Sequence, residues 1–104
     1  MLAVASAFGQ ASDGNITGTV LDASGAAIPN ATVQLENAAT GVKLSTKTDA
    51  SGSYRFGNVL IGRYSITVSN SGFTTSSLKD LLVELNKTAT ANVTLQVGDR
   101  KSVV

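Results

Sequence analysis

The sequence predicts an all-β fold, a two-layer β-sandwich. Two observations carry that expectation: runs of residues that alternate apolar and polar, and turn-forming clusters that separate the runs at short, fairly regular intervals. Alternation with period two marks a strand buried on one face, because successive side chains point to opposite sides of a sheet. A length of 104 residues suits one small domain and leaves no room for two.

The first run begins at Asn15, where Ile16, Gly18 and Val20 alternate with Thr17 and Thr19. Ala31, Val33 and Leu35 then alternate with Thr32, Gln34 and Glu36, and Val42 and Leu44 with Lys43 and Ser45. Tyr54 and Phe56 flank Arg55; Tyr64, Ile66 and Val68 alternate with Arg63, Ser65, Thr67 and Ser69; Val93, Leu95 and Val97 alternate with Asn92, Thr94 and Gln96. β-Branched and aromatic side chains of this kind fit a pleated surface packed on one side. In SLKDLLVELNK, Leu78, Leu81, Leu82 and Leu85 fall at helical spacing, while Leu81, Val83 and Leu85 also alternate. A strand is the better reading, because the all-β surroundings offer an edge to pair with and no helix cap precedes Leu78. Asp22-Ala-Ser-Gly25, Pro29-Asn30, Asn37 to Gly41, Asp49-Ala-Ser-Gly52, Gly57-Asn58, Gly62 and Asn70-Ser-Gly72 punctuate these runs. Each supplies an Asn, Asp or Ser side chain that bonds nearby backbone, or a Gly that accepts positive φ.

Composition removes most catalytic classes. The chain has no His, Cys or Trp, so the usual general base near neutral pH, thiol nucleophiles, disulfides and the common zinc ligands are all missing. Ser and Thr are plentiful, but nothing nearby in sequence activates one as a nucleophile. Eight basic and seven acidic residues give a net charge of +1 without a run of one sign. A phosphate backbone is bound by clustered Lys and Arg, so no nucleic-acid partner is expected. The scattered charges read as a solvated outer surface.

The two ends differ from the middle. MLAVASAFGQA is small, apolar and uncharged; it is similar to the tail of a secretory signal, with Ala5-Ser-Ala7 or a site near Ala11 as small residues for cleavage, and a strand-forming or irregular extension is the alternative. No segment approaches the ~18 apolar residues of a helical membrane span. At the other end Gly98 to Val104 leaves the last run through polar residues and turns apolar again, as a linker or tail would.

Two stretches resemble the carboxypeptidase regulatory-like domains. ITGTVLDASGAAIPNATVQL, residues 16 to 35, is similar to the opening of that family: a strand, a turn, then Pro-Asn-Ala-Thr-Val leading into the second strand. TDASGSYRFGNVLIGRYSITVSNSGF, residues 48 to 73, resembles its other signature, an Asp-containing turn followed by Gly-x-Tyr-x-Phe, a Gly-x-Tyr strand and a Gly-Phe. The resemblance implies a seven-stranded sandwich, transthyretin-like or immunoglobulin-like, over residues 15–98, with 1–14 as signal remnant or extension and 99–104 as linker or tail. It singles out Asp49, Gly52, Tyr54, Phe56, Gly62, Tyr64, Gly72 and Phe73 as motif residues. VTLQVG after the Thr-rich final strand resembles the extension ahead of the plug in a group of TonB-dependent outer-membrane receptors. That implies an exported protein of the periplasm or outer membrane, alternatively extracellular, whose partner is an envelope protein or further domains of the same chain.

The residues themselves give the motif structural work. Asp49 is placed to accept backbone hydrogen bonds from Ser51 or Gly52, Gly52 to reverse the chain, and Tyr54, Phe56, Tyr64 and Phe73 to fill the core, with the tyrosine hydroxyls bonding backbone carbonyls at the sandwich edge. Hydrolysis of hydroxyisourate, known among transthyretin-like enzymes, relies on histidines and a C-terminal Tyr-Arg-Gly-Ser that this chain lacks. An isopeptide bond of the kind found in surface adhesins needs a Lys on the first strand, which reads Ile-Thr-Gly-Thr-Val-Leu. Asp49-Ala-Ser-Gly-Ser offers one carboxylate where calcium loops use several oxygen ligands, so no metal or cofactor is expected. Asn-x-Thr triplets at Asn15, Asn30, Asn86 and Asn92 match the glycosylation pattern and are explained by chance in a chain so rich in Asn and Thr. The expectation is a non-enzymatic accessory domain. Its alternatives are a module that forms homo-oligomers by lending a strand to an open sheet edge, and a weak carbohydrate-binding module.

Overall fold

The computed structural model describes residues 13–97, which form eight strands and no helix. β1 (Asp13–Asp22), β4 (Ser53–Leu60), β7 (Thr88–Thr90) and β8 (Val93–Leu95) make one sheet; β2 (Thr32–Asn37), β3 (Lys43–Lys47), β5 (Gly62–Ser69) and β6 (Ser76–Val83) make the other. The second sheet runs β3-β2-β5-β6 and is antiparallel throughout. In the first, β1 is central, antiparallel to β4 and parallel to β7 and β8. The pairs Thr17↔Thr90 and Val20↔Val93 keep the same offset, so β7 and β8 are one strand broken at Ala91 and Asn92. Counted that way the sandwich has seven strands, as expected.

The core follows the alternation. Ile16 and Val20 of β1, Val33 and Leu35 of β2, Tyr54, Phe56 and Val59 of β4, and Tyr64, Ile66 and Val68 of β5 are buried between the sheets, with Val83, Ala91, Val93 and Leu95 from the last third of the chain. Each aliphatic side chain so buried contributes about 1.5–3 kcal/mol relative to exposure. The segment with two readings is a strand, although β6 ends at Val83 and Leu85 lies beyond it, exposed.

The expected core is corrected at four positions. Leu44 lies opposite the buried Leu35 and so faces inward, but it is 49% exposed, and the neighbouring Val42 is 60% exposed. The cause is width: the first sheet is three strands across and the second four, so β3 overhangs the β4 edge. Val97 is exposed as well; it makes a single bridge to Phe73 after β8 has ended. Phe73 packs against the margin of the core and is only partly buried, because it sits in the loop between β5 and β6.

Two edge strands carry bulges. Extra residues at Gly57 and Asn58 bend β4 opposite Asn15, and Lys79 and Asp80 bend β6 opposite Ser65; Asn58 and Asp80 take positive φ. Bulges and charges on edges twist them away from indiscriminate pairing.

Candidate binding surface

The motif residues are distributed through the sandwich, each with a local task. Asp49 Oδ1 accepts from Ser51 N at 2.9 Å, Ser51 Oγ at 2.7 Å and Ser53 N at 2.9 Å, and Gly52, at φ 77°, donates to the Asp49 carbonyl. The same tetrapeptide at Asp22 is wired alike: Asp22 Oδ1 accepts from Ser24 N at 2.8 Å, Ser24 Oγ at 2.6 Å and Ala26 N at 3.0 Å. The Ser hydroxyl bond, followed by the backbone donors, holds each carboxyl below the usual carboxylate range. The two turns adjoin, because Val20 N donates to the Gly52 carbonyl. Among the described residues no group of three or more acidic side chains gathers to hold a metal.

Tyr54, Phe56 and Tyr64 are buried, and the rings of Tyr54 and Phe56 meet edge to face at 6.1 Å. Tyr64 Oη donates to the Leu60 carbonyl at 2.7 Å, tying the β4–β5 turn that Gly62 completes. Tyr54 Oη donates to the Ala91 carbonyl, and burial pushes its phenol up to about 12. Gly72 lies in the turn before Phe73, whose N–H donates to Asn70.

The Tyr54 bond belongs to a device that the alternation did not reveal. In an unbroken parallel ladder the Ala91 carbonyl would accept from Thr19 N. Here Asn92 Oδ1 takes that bond at 3.0 Å, while Ala91 N still donates to the Thr17 carbonyl. The Ala91 carbonyl is left to turn inward over Gly18, where a Cβ would approach it to 1.9 Å. Thr48 is the other missed residue. It is the buried polar side chain of the described chain, donating to the Ile28 carbonyl at 2.7 Å and accepting from Ala31 N at 2.9 Å, which fixes the Pro29-Asn30 turn. Its only mark in sequence is a Thr beside the Asp49 turn.

Two of the surface hollows bear on binding. A shallow basin of about 610 Å³ lies on the outer face of the first sheet, lined by Thr17 and Thr19 of β1, Ser53 and Arg55 of β4, Thr90, Asn92 and, at its rim, Lys47 and Asp49. An apolar groove of about 240 Å³ opens under the overhanging β3, between Val42 and Leu44 on one side and Val59 and Leu60 on the other.

The sequence model described as carboxypeptidase regulatory-like domain matches residues 15–96. No curated protein sequence matches the chain. Among solved structures, the chain is similar to the Bacillus anthracis TIE protein at TM-score 0.68 and 20% identity, over 83% of this chain and 17% of that one. It is similar to the minor pilin GBS52 of Streptococcus agalactiae at TM-score 0.69 and 15% identity, over 90% of this chain and 48% of the pilin. Catechol 1,2-dioxygenase from Pseudomonas arvilla C-1 gives TM-score 0.68 at 13% identity, over 91% of this chain and 55% of the enzyme. The chain thus spans about half or less of the length of each, and at these identities the likeness is one of fold.

Proposed function

The chain belongs to the carboxypeptidase regulatory-like domain family, and from that membership we propose that it is a non-catalytic accessory domain of an exported bacterial envelope protein, serving as the N-terminal extension of a TonB-dependent receptor. The observation that carries the non-catalytic reading is the commitment of the motif's own polar atoms. Asp49 Oδ1 already accepts three bonds, and both tyrosine hydroxyls are bound to backbone carbonyls. A group bound in this way holds the fold and has little left to offer a substrate. The sandwich shared with a minor pilin and the signal-like first eleven residues support export. Fractionation of the source cells with an antibody against this domain tests the reading. Recovery in the outer membrane on a polypeptide of receptor size is expected; recovery in the cytosol overturns it.

One observation favours a second reading, a self-associating module. Leu44 faces inward yet is half exposed beside the outer edge of β4, so one added strand would widen the first sheet and cover both Leu44 and Val42. Sedimentation over a hundredfold range of concentration separates the readings: a monomer throughout supports the accessory domain, and growing oligomers that L44K abolishes support self-association.

A further inference from the structure

We propose that the outer face of the β4–β1–β7/β8 sheet is a binding site for an acidic polysaccharide, one bearing carboxylates on a hydroxyl-rich chain. The proposal goes beyond the accessory role and does not depend on the receptor context. It rests on what the face presents and on how those groups are occupied.

The outward positions of three neighbouring strands are almost all hydroxyl or amide. Thr17 pairs with Arg55 on one side and Thr90 on the other, Thr19 pairs with Ser53, and Asn15 with Thr88. Polar groups set in rows on adjacent strands, about 4.8 Å apart, match the spread of hydroxyls along a sugar chain. No hydrogen bond within the described residues engages the hydroxyls of Thr17 and Thr90. The face is also a basin and not a ridge, with about 610 Å³ between its walls.

Charge decides which sugar. Lys47 and Arg55 stand on the basin, and the one ion pair formed among the described residues, Lys87 with Glu84 at 3.8 Å, involves neither. Arg55 is held across the face by a long bond of 3.4 Å from Nη2 to Asn15 Oδ1, over Gly57, which has no side chain to obstruct it. The basin's single carboxylate, Asp49, has one oxygen taken up by three turn donors. Two cations without an acidic partner among the described residues therefore outnumber one partly neutralised anion, and an anionic ligand is the complement. A neutral glycan is disfavoured for a separate reason: Tyr54, Phe56 and Tyr64 are buried, and the partly buried Phe73 is not among the residues lining the basin. With no exposed ring on it, the face lacks the large apolar contact area that aromatic side chains supply at interfaces.

Affinity electrophoresis of the full chain through gels containing polygalacturonate, dextran or poly-glutamate tests the proposal. Polygalacturonate is expected to retard the protein at low ionic strength and to lose its hold as salt screens the cations, while dextran leaves it unretarded. K47Q/R55Q is expected to weaken the apparent affinity at least tenfold with an unchanged urea midpoint. T17V/T90V keeps the shape and the charge but removes two hydroxyls, and is expected to weaken polygalacturonate binding severalfold. Absence of retardation by polygalacturonate, or binding that survives K47Q/R55Q, overturns the proposal. So does equal retardation by poly-glutamate with T17V/T90V indistinguishable from the parent, which would mean attraction to any polyanion.

Discussion

Replacement of Gly18 by Ala tests whether the inward-turned Ala91 carbonyl organises the first sheet. An added Cβ would stand 1.9 Å from that carbonyl oxygen and 2.6 Å from Tyr54 Oη. Contacts below 3 Å with backbone cannot be relieved by a side-chain rotation, so the β7/β8 strand or β1 must move. Overpacking of this kind costs about 1–3 kcal/mol, occasionally more. Losing the Tyr54 bond strands a buried carbonyl and a buried hydroxyl, for about 1–3 kcal/mol in addition. The unfolded chain is stiffened by Ala, which returns about 0.4–1 kcal/mol. The net expectation is a loss of about 1–5.5 kcal/mol, set against a total stability of ~5–15 kcal/mol for a domain of this kind.

Gly25→Ala is the matched control. Gly25 sits at φ 90° with no atom within 4 Å of the added Cβ, so no clash arises and only backbone strain of about 1–2 kcal/mol, partly offset by the same stiffening of the unfolded chain, is at stake. Urea unfolding followed by tyrosine fluorescence measures both, and the comparison of midpoints at equal slope decides. G18A unfolding at the same urea concentration as G25A, or within about 1 kcal/mol of the parent by linear extrapolation, would refute the assignment of the Ala91 carbonyl as a packed, hydrogen-bonded element.

Four further outcomes are expected. Tyr64→Ala removes a buried ring and the bond to Leu60, for a loss of about 3–5 kcal/mol, whereas Lys43→Ala on the outer face of β3 is near neutral; equal urea midpoints would reverse the assignment of faces. Tyr54 ionises near 12 in the folded state against about 10 unfolded, so its contribution is complete below pH 10 and is lost as pH rises toward 12; Y54F, which has no phenol to ionise and no bond to the Ala91 carbonyl, should start less stable and lose its urea midpoint less steeply between pH 10 and 12. Asp22 and Asp49 are lowered, so the stability they give is present above the unfolded carboxylate value near 3.9 and disappears as pH falls below it; D22N/D49N is expected to flatten the acid limb of a melting-temperature profile. A chelator is expected to leave the melting temperature unchanged, since the turn donors already occupy Asp22 Oδ1 and Asp49 Oδ1; a drop restored by calcium would show that a cation belongs there.

The strands and turns were legible because each was written in local chemistry. Alternation at Ile16 to Val20 or Tyr64 to Val68 fixes which side chains face in, and Asp-Ala-Ser-Gly fixes a turn wherever it occurs, as the identical wiring at Asp22 and Asp49 demonstrates. The errors at Val42 and Leu44 have a different origin. Periodicity reports the face of a strand, but whether that face is covered depends on the width of the opposite sheet, which no segment of sequence encodes by itself. The outer-face basin was invisible for the same reason: Thr17, Arg55 and Thr90 come from three strands and meet only through register.

The break between β7 and β8 shows how such non-local information is nevertheless stored. Gly18 gives up a side chain at a buried strand position, where Gly ordinarily weakens a sheet. That loss makes room for one carbonyl to leave the ladder, and Asn92 supplies the oxygen that the ladder then lacks at Thr19. Tyr54, from the strand on the other side of β1, receives the displaced carbonyl. Three residues far apart in sequence, Gly18, Tyr54 and Asn92, thus satisfy one another's requirements. The same exchange turns Asn92 outward at the margin of the basin, so the element that locks the first sheet also helps shape the face proposed to meet a ligand.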